Sequence, residues 1–456
     1  MKAKKSSEIF LKRNVHKIFE LHINGIKIQS APPIPLVLKV HYLCEKLKIY
    51  SMNKLKRVCG LDVHKDTIFA CVKKGKYQSE VKQFSTTTQG LSDMSHWMQG
   101  EQVYKVAIES TGIYWMPIWR ALEKDFELLL VNPYFIKQIP GRKSDVQDAQ
   151  WIATLLEKKL LRGSVVPEKT IRVLRAYLRR YAQLQGQMTR CLQQIEKQLS
   201  QCNIKIASLS STIGSKTVID IVESISKGNY APEQLLALVH GRILNKHGAK
   251  VKQSLEGIIE EHDVFLLRQI YEDYLHIERQ CNELLAQAQK IAEVHYKEQL
   301  DLLQTIPGIK QLSAVIILAE LGGNIKLFET AQQLTGWCGL RPKNDESAGK
   351  IKSRSITKGN KYLRRILVQT AWAASRTKTC YLKTKFEQLA VRKSSKKALI
   401  AIARKQLVII WNVLAKQEEY KEPQIKLSAE QISRKQKYYQ EKLSRLQQQQ
   451  VLEKAG

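Results

Sequence analysis

Acidic residues are in short supply in this chain: 42 Asp and Glu stand against 75 Lys and Arg, leaving a formal net charge of +33 over 456 residues and a pI near 9.7. Such an excess implies a large polyanionic partner, and nucleic acid comes first because neutralising phosphates releases condensed counterions. A membrane surface is the weaker candidate, since no uninterrupted apolar run reaches the roughly 18–20 residues that a span needs. The longest apolar stretch, Ala398 to Ala415, carries Arg404 and Lys405 and reads as a core or interface helix. The N-terminal lysines are not followed by the apolar segment and cleavage site of a signal peptide. Cys44, Cys59, Cys71, Cys191, Cys202, Cys281, Cys338 and Cys380 include no close pair with metal-ligand spacing, and the ten histidines form no His-Glu-x-x-His. A reduced, cytoplasmic chain without structural zinc is therefore expected.

Against that scarcity, the positions of four carboxylates stand out. Asp62 ends the apolar run Val58 to Leu61, which reads as a buried strand, and Glu109 closes a second such strand, Val103 to Glu109. Asp145 and Asp148 are three apart, on one face of a helix for which Ser144 is a good N-cap. Carboxylates meeting from two strand ends and a helix face repel one another unless a cation lies between them. The expected occupant is a pair of Mg²⁺ ions, roughly 3.5–4 Å apart, that orient a nucleophile and a leaving oxygen on a phosphodiester.

A chain of this length exceeds one core, so several domains are expected. Residues 1–56 form a basic N-terminal extension with Pro32-Pro33-Ile34-Pro35; either translation starts at Met52 or the extension is an arm that contacts nucleic acid. Residues 57–165 read as strands 58–62, 67–74 and 81–85, helix 90–99, strand 103–109, helix 115–124, strand 126–132 and helix 144–160. Three strands followed by alternating helix and strand give an α/β domain of ribonuclease-H/RuvC-like arrangement.

Residues 166–300 read as a helical, coiled-coil linker. One heptad seam runs through Leu174, Leu178, Tyr181, Gln185, Met188, Leu192, Ile195 and Leu199, and another through Leu267, Ile270, Tyr274, Ile277, Cys281, Leu284, Ala288, Ile291 and His295. They can pair within one chain, pair between chains, or belong to ordinary bundle helices. Residues 301–390 form a mainly α C-terminal domain. It opens on helix, Ile306-Pro307-Gly308-Ile309, helix, which is either a helix-hairpin-helix offering turn amides to phosphate or a plain two-helix corner. Residues 391–456 read as a helical, basic, Gln-rich tail.

A second constellation lies in the C-terminal domain. Ser347-Ala348-Gly349 is followed by a cationic stretch from Lys350 to Arg365. A serine in a small-residue loop among cations can approach and attack a phosphate, because the cations stabilise alkoxide and phosphorane. The same residues also suit an ordinary solvated turn, and Ser353 and Ser355 are rival nucleophiles. Arg341, Lys350, Lys352, Arg354, Lys358, Arg364 and Arg365 are candidate phosphate contacts.

Together the two constellations resemble the IS110 family of transposases from Met52 to about Arg376. Gly-Leu-Asp62-Val-His-Lys, Ala-Ile-Glu109-Ser-Thr-Gly and Lys-Ser-Asp145-Val-Gln-Asp148-Ala match the family's Asp-Glu-Asp-Asp set. Ile306-Pro-Gly-Ile309, Gly336-Trp-Cys-Gly339-Leu340-Arg-Pro342, Ser347-Ala-Gly349 and Lys358-Gly-Asn360-Lys-Tyr-Leu363-Arg364 match its C-terminal pattern. The resemblance implies a RuvC-like domain binding Mg²⁺ and a catalytic serine at Ser347. It further implies a coiled coil, a homo-oligomer (dimer or tetramer), DNA substrates at the element ends and target, and a structured guide RNA encoded by the element. The first 51 residues and the segment after Lys416 depart from the pattern. Two other readings stay open: a RuvC-type nuclease in which water attacks, and a non-catalytic nucleic-acid-binding protein.

Overall fold

The computed structural model describes residues 57–75, 78–110, 112–136, 144–343, 345–347, 350–353, 355–392, 394–423 and parts of 433–447. The expectations for residues 1–56, for Arg354 and for the far C-terminus fall outside these residues. Two compact units divide between Val166 and Pro167.

The first unit is a mixed six-stranded sheet in the order β3-β2-β1-β4-β5-β6. Its strands are β1 (Arg57–Val63), β2 (Thr67–Lys73), β3 (Ser79–Ser85), β4 (Val103–Glu109), β5 (Glu127–Val131) and β6 (Gly163–Ser164). β1 is antiparallel to β2 and parallel to β4, and β5 is parallel to β4. Among the described residues the strands are accompanied by helices α1 (Thr88–Gly100), α2 (Trp115–Leu122), α3 (Pro133–Ile136) and α4 (Asp145–Glu157). Because side chains alternate along a strand, the central strands bury both faces. Cys59, Leu61 and Val63 pack with Val106 and Ile108 beneath Leu91, Met94 and Met98 of α1 and Ile118 and Leu122 of α2. The opposite face presents Val58, Ala107 and Val131 to Ile152 and Leu156 of α4.

The second unit is mainly helical. It contains α5 (Lys169–Gln201), α6 (Ile206–Leu209), α7 (Lys216–Ser226), α8 (Pro232–Ala237), α9 (Gly241–His247), α10 (Ala249–Leu255), α11 (Glu261–Gln304), α12 (Gln311–Leu321), α13 (Ala331–Cys338), the hairpin strands β7 (Asp345–Ser347) and β8 (Lys350–Ser353), α14 (Lys361–Ala374), α15 (Tyr381–Arg392) and α16 (Ser395–Lys416). The long helices α5 and α11 lie antiparallel within the chain. Ile171, Leu174 and Leu178 share a core with Ala288, Ala292 and Tyr296, while Cys191, Ile195 and Leu199 share another with Val264, Leu267, Tyr271 and Tyr274.

The α11 seam differs from the expected one. Leu267, Tyr274, Cys281 and Ala288 are buried as the spacing implied, but the companion series is Val264, Tyr271 and Ala292 rather than Ile270, Ile277, Leu284 and Ile291. Ile270 and Ile277 are half-buried against the distal core that α7, α8 and α10 help to build, so a face serving two neighbours widens beyond a two-helix stripe. Tyr296, where the backbone leaves helical geometry, is buried, whereas His295 is exposed.

The turn at Pro307-Gly308 faces the protein. Gly308 has φ +84° and no room for a Cβ, which would come within 2.3 Å of the Thr370 carbonyl oxygen. The Ile309 amide bonds to Ile306 O and the Lys310 amide to Ser313 Oγ, so these donors are spent internally and the geometry is that of a packed corner. Gln406, fully buried on α16, donates to Pro307 O at 2.9 Å and accepts from Thr370 Oγ1 at 2.8 Å. Helix α16 is apolar enough by composition to cross a bilayer, yet Ile402, Leu407, Ile410 and Leu414 lie in the same core as Leu318 of α12 and Leu367 of α14. That core continues past residue 390, and Tyr420 packs against it with its amide bonded to Thr305 Oγ1.

A buried ion pair ties this unit together. Glu320 on α12, with its side chain 3% exposed, accepts both bonds of the Arg179 guanidinium from α5, at 3.0 and 2.9 Å, and a 2.7 Å bond from Asn360 Nδ2. Arg175 caps the end of α12 through Ala319 O and Glu320 O. Burial pushes the Glu320 carboxyl up, but the bonds from Arg179 and Asn360 and the two guanidinium charges outweigh it and hold the group below its usual range. A depressed carboxyl contributes stability above its unfolded pKa and loses it as pH falls through the folded value. Glu320→Gln should therefore cost about 3 kcal/mol at neutral pH, the low end for breaking a buried pair, because Arg179 is 41% exposed and regains water. In paired thermal melts the wild-type advantage should start to shrink below about pH 4.3 and vanish in stronger acid; a gap independent of pH would deny Glu320 its charge.

Candidate active site

Position 60 determines where the acids meet. A Cβ on Gly60 would lie 2.4 Å from Ala153 N and 2.7 Å from Ala149 O, so the α4 backbone rests directly on β1. Gly60 and Asp62 are two apart on a strand and share the face that α4 covers. The first turn of α4, one turn before Ala149, is thereby brought to Asp62. Ser144 starts that turn as the N-cap, accepting from the Gln147 amide, and Asp145 and Asp148 occupy it. Two acids at a helix N-terminus face the positive end of its dipole, which partly offsets their repulsion. Leu61 pairs with Ile108 across the parallel strands, and Asp62 and Glu109 each follow by one residue. Both are nearly enclosed, at 5% and 7% exposure.

His64, which is not among the residues expected from the sequence to act at the site, joins the acids. Its Nε2 lies 3.2 Å from Asp62 Oδ2 and 3.6 Å from Asp145 Oδ1. Ligand atoms of Asp62, His64 and Asp145 all fall within 4.8 Å of one another. The available signal was the Asp-x-His spacing at the end of a strand, which keeps both side chains on one face. The Asp62 carboxyl is pushed above its usual range, first by burial and then by the charges of Glu109 and Asp148, with His64 acting in the opposite direction. Glu109 follows Ile108 on the adjoining strand, and Asp148 stands in the first turn of α4. A mutually repelling set rich in hard carboxylate oxygens, with Asp62 and Glu109 buried and Asp145 open to solvent, fits a divalent cation such as Mg²⁺.

The second constellation lies on the other unit. β7 and β8 pair antiparallel, with Ser347 opposite Lys350 at the tip. The ladder continues toward the base through Lys343 N to Ser355 O, the Pro342–Ile356 bridge and Thr357 N to Arg341 O. Gly339, at φ +78°, and Gly359 close the base: a Cβ on Gly359 would come within 2.4 Å of Gly339 N. Asn360 then caps α14, its Oδ1 accepting from the Tyr362 and Leu363 amides. Arg341, Lys350, Lys352, Lys358 and Arg365 are exposed. Arg364 is half-buried and donates to Thr357 O at 3.4 Å, while the rival serines bond to each other, Ser353 Oγ to Ser355 Oγ, at 2.7 Å.

Mg²⁺ or Mn²⁺ should raise the melting temperature of the wild-type chain, by about 2.7 kcal/mol of added stability at a hundredfold excess over Kd. Asp62→Asn and Asp145→Asn should lose that shift, and a shift retained in both would move the cation elsewhere. Gly60→Ala should lower the metal-free melting point, by about 1–3 kcal/mol for an overpacked contact, and weaken the metal response because α4 must retreat. An unaltered melt in Gly60→Ala would contradict the close approach of α4.

Comparison with known proteins agrees with this organisation. A transposase family model, DEDD_Tnp_IS110, matches residues 59–204, which take in the four acids and α5. A second, described as the transposase IS116/IS110/IS902 family, matches residues 300–387, which take in the hairpin and α14. The transposase for insertion sequence element IS1111A of Coxiella burnetii is 29% identical over 160 residues, covering 34% of this chain and 43% of that protein. A Sinorhizobium fredii protein provisionally named as a transposase, y4pF/y4sB, is 24% identical over 321 residues, 67% of this chain and 71% of its own length. The chain thus spans less than half of the Coxiella relative. With each family model falling on one of the two constellations, the chain belongs to the IS110 family of transposases.

Proposed function

We propose that this chain is a metal-dependent DNA recombinase that excises and inserts an insertion sequence by strand transfer at phosphodiesters. The observation that carries the reading is the meeting of Asp62, His64 and Asp145, with Glu109 and Asp148 acting on the same charge, in a chain of net charge +33. The order β3-β2-β1-β4-β5, with β1 between an antiparallel and a parallel neighbour, supports a ribonuclease-H/RuvC-like identity for the first unit. Two Mg²⁺ ions held by Asp62, Glu109, Asp145 and Asp148 would supply Lewis-acid polarisation of a scissile phosphate.

Ser347 is the nucleophile in this reading. Its oxygen forms a bond to phosphorus as the strand's own P–O bond breaks; the hydroxyl proton is released and the freed end leaves as a hydroxyl. The ester keeps the bond energy until a hydroxyl of a second strand attacks the same phosphorus and frees Ser347. Arg341, Lys350, Lys352, Arg354, Lys358, Arg364 and Arg365 serve as phosphate contacts that balance the developing charge. Family resemblance supports the rest of the proposal: element ends and target DNA as substrates, a structured guide RNA, a homo-oligomer (dimer or tetramer) and action in the cytoplasm.

Trapping the reaction with labelled DNA, followed by denaturation and peptide mapping, tests the assignment. The wild type should yield a DNA-linked peptide containing Ser347, and Ser347→Ala should bind nucleic acid but give neither linkage nor cleavage. Asp62→Ala or Glu109→Ala should abolish excision in a folded protein. A linked peptide containing Ser353 or Ser355 would move the nucleophile, while cleavage with no linked peptide would favour attack by water.

A further inference from the structure

The Arg179–Glu320–Asn360 joint underlies an open recess of about 570 Å³, of whose lining the catalytic reading uses Lys358 alone. Arg179, Trp337, Lys358, Gly359, Lys361 and Tyr362 line it, and no carboxylate appears among its lining residues. Trp337, on α13, is 41% exposed although it is one of the largest apolar side chains of the unit. One side of its indole is steadied by Phe328, with ring centroids 5.3 Å apart. Tyr362 also lines the recess, with the Arg179 guanidinium 4.8 Å and the Lys361 ammonium 5.2 Å from its ring centre. Arg179 cannot swing freely, because the buried Glu320 carboxylate takes both of its bonds. An exposed aromatic beside fixed and mobile cations combines a stacking platform with phosphate ligands. A recess of this volume suits a ligand the size of a nucleotide, and an unpaired base offers an indole the free face that a base stacked inside a duplex does not.

We propose that this recess takes one unpaired nucleotide of a nucleic-acid strand, its base stacked on Trp337 and its phosphate held by Lys358 and Lys361, with Arg179 and Tyr362 as the fixed wall. The inference rests on the nucleic-acid partner of the proposed function but not on strand cleavage. Arg179, Trp337, Lys361 and Tyr362 thereby acquire a role that none of the candidate phosphate contacts covers.

The test uses the full chain in EDTA, which prevents metal-dependent cleavage. Single-stranded oligonucleotides carrying one 5-iodouracil, as DNA and as RNA, are photo-crosslinked and the adducts mapped, and affinities are measured by anisotropy beside a duplex of equal length. Adducts should map to Trp337 or Tyr362. Trp337→Ala should weaken unpaired strands about five- to a hundredfold, the range of one lost stacking contact, with little effect on the duplex and no change in salt slope. Trp337→Phe should restore most of the loss, and thermal melts of both variants exclude unfolding as its cause. Lys358→Gln and Lys361→Gln should each reduce the slope of log K against log salt by about 0.7. Stronger crosslinking of RNA would assign the recess to an RNA loop, and stronger crosslinking of DNA to an opened DNA strand. Adducts confined to other peptides, or equal strand affinity in Trp337→Ala, would overturn the proposal. Excision by the same preparation is scored separately: an inactive protein that still crosslinks at Trp337 removes the recombinase reading alone, and an active one that does not crosslink there removes the recess alone.

Discussion

Contact between the α4 backbone and β1 at Gly60 is the constraint on which the first unit depends. Without a side chain at that point, Ala149 and Ala153 sit on the strand itself, and the helix cannot slide without breaking the contact. The first turn of α4 is then delivered to the end of β1, where Asp62 waits beside Glu109 at the ends of parallel strands. The carboxylates are held together by packing on both faces of the sheet, against their mutual repulsion; the Asp62 carboxyl is pushed up first by its burial under that packing and further by the charges of Glu109 and Asp148. A cation bound there gains because the protein has already met the cost of assembling its ligands.

The second unit relies on an opposite device, in which attraction between buried charges fixes the joint. Glu320 gathers Arg179 from α5 and Asn360 from the start of α14, and Arg175 secures the end of the helix that carries it. Asn360 performs two tasks at once: its Oδ1 caps α14 and its Nδ2 reaches Glu320. The base of the β7–β8 hairpin, the cap of α14 and the long helix α5 consequently share one small polar centre. Gln406 plays a similar part farther along α14, joining Thr370 to the turn at Pro307.

Much of the first unit was legible because its central strands β1, β2 and β4 are short, apolar and buried on both faces. Strand 103–109 agrees to the residue with β4, and the acid positions followed from the apolar runs that precede them. The Ser144 cap was equally readable, since a side-chain oxygen before a helical pattern has few other uses there. β6 was not legible, because the two residues Gly163 and Ser164 carry no periodicity. The α11 seam was half right: Leu267, Tyr274, Cys281 and Ala288 were placed correctly, but a helix with neighbours on two sides buries more than one stripe, and spacing alone cannot say which aliphatics face which neighbour. Glu320 escaped notice because a lone acid in an apolar helix gives no hint that its partners lie 141 and 40 residues away. His64 was visible in the sequence but, without the approach of Asp145 from α4, looked like any polar residue after a strand.

The C-terminal motif divides into frame and reagents on physical grounds. Gly339 and Gly359 touch each other's backbones, Asn360 caps and anchors, and Gly308 packs on α14; substituting these residues distorts the scaffold before it alters any surface. Lys350, Lys352 and Lys358 stand exposed around that frame. Exposed cations beside a paired backbone ladder cost the fold little, whereas the same cations on an unpaired loop would lose side-chain and backbone entropy together on binding. In the proposed function the glycines and Asn360 matter chiefly by fixing where the lysines stand, and the spacing of the motif records the geometry of its frame as much as any chemistry carried on it.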